Sequence, residues 1–232
     1  MLSELKSALT NLREEKQALS GSVSIGMPIE FGNNLIVPLL SKIGDLHPGI
    51  HFKIRLGFAS EMNEGLVRGE LDFAFIDEYR MDRQILIEPV AHEILELCAS
   101  RSLIKKYGKP LHKLEYFEKL PYVEYKSDAP ILRSWFKHHF NSRTPFLNIR
   151  ASIMDVQGVS KFIFGGLGAG VIPAYLASQF EESGQNLVRF QVAPTPLKNR
   201  LSAASLRGRT HSGPARFALD FIKSKLKEVD FT

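Results

Sequence analysis

The chain has 232 residues, of which 44% are hydrophobic and 24% are charged, and its net charge is +5. That length suits two domains of modest size, and the apolar content excludes a disordered chain. No apolar run approaches the length of a membrane span, and the charged N-terminus has no signal-peptide core. A single cysteine, Cys98, excludes an internal disulfide and a cysteine-based metal cluster. These features favour a cytoplasmic location.

Residues 2–20 predict an amphipathic helix. Leu2, Leu5, Leu9 and Leu12 recur at three- and four-residue spacing in an otherwise charged segment. Because one face is too apolar to remain alone in water, we expect this helix to pack against another chain or a further domain. The alternative is a frayed N-terminal helix.

A strand and a helix follow. Residues 22–27 predict a short strand that Pro28 ends, and the glycine and two asparagines at 32–34 predict a loop. The apolar positions from Leu35 to Leu46 then predict a helix, in which Pro38 is tolerated only within the first turn.

Residues 51–58 alternate strictly between apolar and polar side chains, which predicts a strand. Its four apolar residues, Phe52, Ile54, Leu56 and Phe58, are expected on one buried face. His51, Lys53 and Arg55 are expected on the other face. A polar outer face favours a strand near a sheet edge or at a subunit contact.

A helix from Ser60 to Arg68 and a buried strand at 73–76 complete the first repeat. Ser60 is the predicted N-cap, with Glu61 in the first turn, and Gly69 supplies the left-handed residue that ends the helix. The continuous apolar run at 73–76 predicts a strand covered by helices on both faces. This order of elements predicts a doubly wound α/β lobe with parallel strands.

The pattern restarts near residue 99, which predicts a second lobe. An extended run at 86–100, broken at Pro89, leads into it. The predicted elements that follow are helices near 102–108 and 113–120, strands at 121–125 and 146–152, helices at 129–140 and 155–164, an apolar strand within 166–173 and a helix at 174–182. A strand at 201–206 and a helix at 213–227 return to the first lobe.

The domain organisation follows from this restart. We predict a helix at 1–20, lobe I at 21–99 and 200–232, and lobe II at 100–199. Two crossover strands would form a hinge, and a ligand would lie in the cleft at the carboxyl ends of the strands.

Residues capable of chemistry form no catalytic or metal-binding pattern. His138 and His139 are neighbours on a predicted helix and point about 100° apart. Asp72 and Asp77 bracket a strand and lie roughly 16 Å apart. No HExxH, GxSxG or Walker A motif is present. The glycines within 165–170 favour capping and close packing over phosphate binding, and Cys98 is expected to be a buried thiol. We therefore expect no enzyme, no cofactor and no metal.

Four segments together resemble the effector-binding region of LysR-type transcriptional regulators. They are GSVSIGM at 21–27, LIVPLLSKIGDLHPGIHFKIRLG at 35–57, SEMNEGLVRGELDFAFID at 60–77 and FGGLGAGVIPAYLA at 164–177. The likeness covers about residues 1–227, and the departures at Val23, His47 and the FGG sequence do not disturb it. The resemblance implies a clamshell of two Rossmann-like lobes, of the periplasmic-binding-protein type II class, that binds a small-molecule effector.

The resemblance also implies partners. Residues 1–20 are similar to the linker helix of the family, and DNA would be bound only through an N-terminal winged helix-turn-helix that this sequence lacks. A homo-oligomer, dimer or tetramer, would form through the helix at 33–46 and the strand at 51–58. Effector binding would bias lobe closure and so reposition the DNA-binding domains.

The expected ligand contacts are carried over from the resemblance residue by residue. They are Pro28, Ile29, Glu30, Ser60, Glu61, Tyr125, Ser127, Met154 and Asp155. The carboxylates among them argue against a strongly anionic effector, unless they are simply solvated loop residues. Asp72 matches a family aspartate and is expected to be structural.

Two other classes of protein share this scaffold. A solute-binding protein of a transport system should carry an export signal, and an enzyme should carry a catalytic constellation; the sequence predicts neither. Residues 198–227 hold eight basic side chains and one acid, Asp220. Because no aromatic residues alternate with these charges as in a single-strand binder, a solvated surface is favoured over a nucleic-acid site.

Overall fold

A computed structural model describes residues 19–77 and 80–229. Apart from its last two residues, the helix predicted at 2–20 lies outside the described residues. The described chain forms two compact units: unit 1 contains 19–91 and 201–229, and unit 2 contains 92–200. The unit limits fall inside two long strands, Ile85–Ser100 and Leu197–Leu206, so both strands pass from one unit to the other.

Unit 1 is built on a sheet whose strands lie in the order β2 (Ile50–Leu56), β1 (Gly21–Met27), β3 (Phe73–Ile76) and β9 (Leu197–Leu206). Its elements are β1 (Gly21–Met27), α1 (Ile29–Phe31), a π-helical turn (Gly32–Ile36), α2 (Val37–Leu46), β2 (Ile50–Leu56), α3 (Ala59–Val67), β3 (Phe73–Ile76), part of β4 (Ile85–Ser100), part of β9 (Leu197–Leu206) and α9 (Gly213–Leu226). β1 pairs in parallel with β2 and β3, and β3 pairs antiparallel with β9. β2 is therefore the edge strand.

The core of unit 1 lies around β1 and β3. All four residues of β3 are buried, as the apolar run predicts, and so are Val23, Ile25 and Met27 of β1. Helix α3 approaches β1 closely at Gly26, where an added Cβ would lie 2.1 Å from the Met62 sulfur. A larger residue there would require the Met62 side chain to move, so glycine lets this helix side chain pack directly on the strand.

Two predictions for unit 1 are wrong. Residues 32–34 are not a loop but part of a π-helical turn, closed by a hydrogen bond from the Val37 N–H to the Gly32 carbonyl. This wider turn lets helical backbone lead into Pro38, which has no N–H and would clash in a regular helix. The buried face predicted for strand 51–58 is also wrong, because Ile54 and Leu56 are 38% and 39% exposed.

Unit 2 contains the rest of the two crossing strands and a second set of α/β elements. Its elements are the end of β4, α4 (Arg101–Tyr107), α5 (Leu114–Phe117), β5 (Pro121–Glu124), α6 (Pro130–Phe140), β6 (Asn148–Ser152), α7 (Val156–Phe164), β7 (Gly170–Pro173), α8 (Ala174–Glu182), β8 (Leu187–Phe190) and the start of β9. β5 and β6 pair in parallel, whereas β7 and β8 both pair antiparallel with β4.

An aromatic cluster forms the core of unit 2. The Phe117 and Trp135 rings are 5.3 Å apart, and the Trp135 and Phe136 rings are 5.2 Å apart. The buried Tyr122 hydroxyl donates to the Phe117 carbonyl at 2.6 Å, so its polar atom is paired. The cluster joins β5 to α5 and α6.

Two features of unit 2 differ from prediction. β4 runs without interruption through Pro89, since the fixed φ of proline is compatible with extended backbone. β8 was not predicted at all. Its four residues carry no clear pattern, and they form a strand because they pair with the buried end of β4.

Candidate functional site

In unit 1 the predicted ligand residues lie where two parallel strands end. Pro28, Ile29 and Glu30 follow β1 directly and are half-buried. The ends of β1 and β2 are joined by a hydrogen bond from the Gly57 N–H to the Met27 carbonyl, 3.1 Å long. The first turn of α3, which follows β2, therefore lies at the same edge of the sheet.

That first turn does not begin as predicted. Ser60 lies inside α3 and does not cap it, because the N-cap is Phe58. The exposed Glu61 carboxylate instead accepts a hydrogen bond from the Phe58 N–H, 3.1 Å long. A carboxylate at this position also interacts favourably with the helix dipole. The prediction was wrong because a glutamate in the first turn fulfils the role of a serine cap.

In unit 2 the predicted residues also follow two neighbouring parallel strands. Tyr125 and Ser127 follow β5, and Met154 and Asp155 follow β6. Asp155 is the N-cap of α7 and accepts from the Gly158 N–H at 2.9 Å. Met154 is 53% exposed and Ser127 is exposed.

Sequence reasoning missed Glu124, which directly precedes Tyr125. It ends β5, is 2% exposed, and accepts from the Tyr125 and Leu132 N–H groups at 2.8 Å each. Its carbonyl accepts from the Ile153 N–H at 2.9 Å, which joins the ends of β5 and β6. Burial raises its pKa to about 7, although the two N–H groups act in the opposite direction. The available signal was an acid at the end of the apolar strand PYVEY.

Asp72 is structural, as predicted. One carboxylate oxygen accepts from the Ser24 N–H at 2.8 Å, and the other lies 3.0 Å from the Arg209 guanidinium. Arg209 also donates to the Gly69 and Leu71 carbonyls. The carboxylate thus fastens the turn after α3 to β1 and is not free to act on a ligand.

The glycines within 165–170 serve close packing, as predicted. A Cβ at Gly168 would lie 2.8 Å from the Tyr122 carbonyl carbon, and one at Gly170 would lie 3.0 Å from Val123. Gly166 has a φ of 74°, which a left-handed turn after α7 requires. No phosphate-binding role is needed to explain these residues.

Other candidate chemistry is limited. Cys98 is buried, and burial raises the pKa of its thiol, so it is not a reactive thiolate. Within residues 19–77 and 80–229, no three metal-binding side chains come together. Some of the basic side chains of 198–227 form ion pairs inside the chain, such as Arg209 with Asp72 and Lys223 with Glu88.

A groove on unit 1 lies apart from the predicted ligand residues. It has a volume of about 520 Å³ and lies along α9, and its lining includes Leu19, Phe217 and Phe221. None of the nine residues predicted to contact the ligand lines it. Across the described part of the chain, none of the helices is both long and apolar enough to cross a membrane.

Known proteins share this arrangement of elements. HinK, a LysR family transcriptional regulator from Pseudomonas aeruginosa, matches with a TM-score of 0.72 at 22% identity, over 98% of this chain and 79% of its own. A mutant OxyR2 regulatory domain from Vibrio vulnificus matches with a TM-score of 0.72 at 14% identity, over 92% of this chain and 98% of its own. The effector binding domain of QuiR, solved with shikimate, matches with a TM-score of 0.70 at 16% identity, over 90% and 99%.

These structural matches confirm the predicted fold, two α/β lobes of the periplasmic-binding-protein type II class. The family follows from the sequence itself, because the model of the LysR substrate binding domain matches residues 16–227. Since that match spans both units and both crossing strands, this chain belongs to the LysR substrate binding domain family.

Proposed function

We propose that this chain is the effector-sensing region of a bacterial LysR-type transcriptional regulator. The observation that supports this most directly is the family match over residues 16–227, together with the fold shared with regulatory domains. The shared scaffold alone would also suit a solute-binding protein of a transport system. The family match favours regulation, because it distinguishes this chain from other proteins of the same fold class.

The proposed effector site consists of the residues at the carboxyl ends of β1, β2, β5 and β6. Pro28, Ile29, Ser60 and Tyr125 are half-buried, and Met154 is largely exposed, so all five keep some accessible surface. Loops at the carboxyl ends of parallel strands are where α/β proteins bind ligands. We propose that a small molecule binds at these strand ends and favours one arrangement of the lobes. The relay of this change to DNA-binding domains stays a prediction.

The effector site is tested by thermal denaturation against a panel of carboxylates, amino acids, amides, amines and sugars. A ligand at a hundred times its Kd should stabilise the chain by about 2.7 kcal/mol. Ser60→Ala and Tyr125→Ala should abolish the shift, whereas Ser224→Ala, at an exposed serine on α9, should preserve it. A specific ligand whose effect survives both site variants would place the site elsewhere.

We also propose that the chain forms a homo-oligomer through the helix at 33–46 and the strand at 51–58. β2 is the edge strand of its sheet, and edge strands with exposed apolar side chains pair readily with other chains. Ile54, Leu56 and Leu46 are 38%, 39% and 62% exposed. A Cβ on Gly32 would lie 2.9 Å from Leu56, so the π-helical turn packs against the end of β2.

Sedimentation velocity tests the homo-oligomer. Ile54→Lys should convert the assembly to monomer, because it introduces a charge into the centre of the apolar surface. The control is Leu86→Lys, a change of similar exposure on β4, which should leave the oligomeric state unchanged. Monomeric wild-type chain at high micromolar concentration, or an unchanged Ile54→Lys oligomer, would contradict the proposal.

A further inference from the structure

Three helices at the proposed effector site already have a carboxylate of this chain on their first turn. Each of these helices follows one of the parallel strands β2, β5 or β6, and its N-terminus lies at the carboxyl end of that strand. The hydrogen bonds run from the Phe58 N–H to Glu61 (3.1 Å), from the Leu132 N–H to Glu124 (2.8 Å) and from the Gly158 N–H to Asp155 (2.9 Å).

A helix N-terminus ordinarily attracts anions, because its first N–H groups lack partners and the helix dipole is positive there. In α3, α6 and α7 a carboxyl group of the chain already accepts one of these N–H bonds. A second anion at the same turn would find that N–H already bonded, and at α3 and α7 it would also meet a like charge. The carboxylates of α3 and α7 come from their own first turn or N-cap, so they are present whether or not a ligand binds.

Three other helices that follow strands, α4, α8 and α1, do not provide an anion site. α4 has only seven residues, and its Leu103 N–H donates to the Ser100 hydroxyl. The first four residues of α8 are all buried. α1 has three residues and carries Glu30 in its first turn.

We propose that the effector of this chain is neutral or cationic, with an apolar portion, and carries no anionic group where it meets α3, α6 and α7. This inference rests on the proposed function, since it concerns the same site. The apolar portion would contact Ile153 and Met154, which are 36% and 53% exposed immediately before the Asp155 carboxylate. Ile153 packs closely on α7: its Cδ1 atom lies 2.6 Å from the position that a Cβ at Gly158 would take. An amine, amidine or amide on an apolar body fits such a surface.

The first experiment tests whether the carboxylates exclude anions, and it does not require the effector. Sulfate is titrated into the wild-type chain and followed through backbone amide resonances, against sodium chloride at equal ionic strength. No saturable shift is expected at residues 58–61 or 155–158. Glu61→Ala and Asp155→Ala should each gain sulfate binding at their own helix, with a Kd in the millimolar range. Glu64→Ala, which removes an exposed charge further along α3, should gain none.

Either of two results would overturn the inference: saturable sulfate binding at these turns in the wild type, or no gain in either variant. The second result would show that something other than the carboxylates excludes anions.

The second experiment compares three probes with the same ring, benzoate, benzamide and benzamidine, in the same resonance assay. Benzamide or benzamidine should shift the resonances of Ile153, Met154 and Tyr125, and benzoate should not. Benzoate binding as tightly as benzamide would overturn the inference. If none of the probes shifts these residues, the proposed effector site is wrong, and the sulfate titration still decides whether the carboxylates exclude anions.

Discussion

Helix α3 in unit 1 and helix α6 in unit 2 both begin on a carboxylate, but the carboxylates come from different places. Glu61 belongs to the first turn of α3 and is exposed. Glu124 belongs to β5, eight residues before the Leu132 N–H that it accepts from, and is buried. An exposed cap is little desolvated and makes only local contacts. A buried cap is desolvated, and it links the strand to the helix, so its loss should affect the whole unit.

The largest effect should follow from Glu124→Ala, since it leaves the N–H groups of Tyr125 and Leu132 without their acceptor. Each unpaired N–H costs roughly 2 kcal/mol, so we expect a loss of about 4 kcal/mol at pH 4.5, well below the raised pKa of Glu124. Urea unfolding followed by fluorescence is suitable, because Trp135 is the one tryptophan of the chain and lies in α6. Glu115→Ala, at an exposed acid of α5, should cost less than about 0.5 kcal/mol. Equal losses in the two variants would contradict the structural role of Glu124.

The same carboxylate should make stability depend on pH. Burial raises the pKa of Glu124 from 4.5 to about 7, and the nearby Asp128 raises it further. Folding therefore favours the protonated form. The contribution of Glu124 is fully present below pH 4.5 and is lost as the pH rises to about 7, a change of about 3 kcal/mol.

Glu124→Gln cannot ionise, so it should remove this dependence. The measurement is the free energy of unfolding of the wild type and of this variant, from pH 4.5 to pH 8. The difference between them should change across that window as Glu124 ionises. Parallel curves would show that Glu124 does not titrate in the folded chain.

The contrast between the two caps also explains what the sequence could predict. Most of the strands and helices, the turn at Gly69 and the buried run at 73–76 follow from local patterns, and they are confirmed. The helical turn at 32–36 was missed because asparagine and glycine favour loops, and packing overrides that preference. Glu61 could be read as an acid in a first turn, whereas the contact of Glu124 with Leu132 exists only after β5 and α6 have packed.

The exposed face of β2 was missed for a related reason. Alternation shows that Ile54 and Leu56 share a face with Phe52, but it does not show what covers that face. Within one chain, neighbouring residues partly bury Phe52 but leave Ile54 and Leu56 exposed. A single sequence cannot distinguish a face covered by its own helix from one that a second chain would cover.

A smaller effect is expected at the exposed cap. Glu61→Ala removes the acceptor of the Phe58 N–H and a favourable charge at the helix dipole, and we expect a loss of about 1 kcal/mol. The N–H can still bond to water, so the loss is far below that of Glu124→Ala. Glu64→Ala removes an exposed pair with Arg68 in the same helix and should cost less than about 0.5 kcal/mol. Chemical denaturation of the two variants side by side gives the comparison; a loss at Glu61 as large as at Glu124 would show that burial does not separate the two caps.

The smallest predicted losses of stability are at the C-termini of α3 and α6, where two similar residues can be compared. After α3 the chain turns at Gly69 with φ 72°, and after α6 it turns at Asn141 with φ 52°. Both helices are therefore followed by a residue in left-handed conformation. Alanine in that conformation is strained by about 1 kcal/mol relative to glycine, and asparagine tolerates it better. The environment of Gly69 adds nothing to this strain, because a Cβ there would lie 3.6 Å from Arg209, an ordinary contact. Gly69→Ala and Asn141→Ala should each cost about 1 kcal/mol or less, and Asn141→Gly should be nearly neutral. If Asn141→Gly cost as much as Asn141→Ala, the asparagine side chain rather than its backbone conformation would end α6, and the likeness between the two helices would hold only at their N-termini.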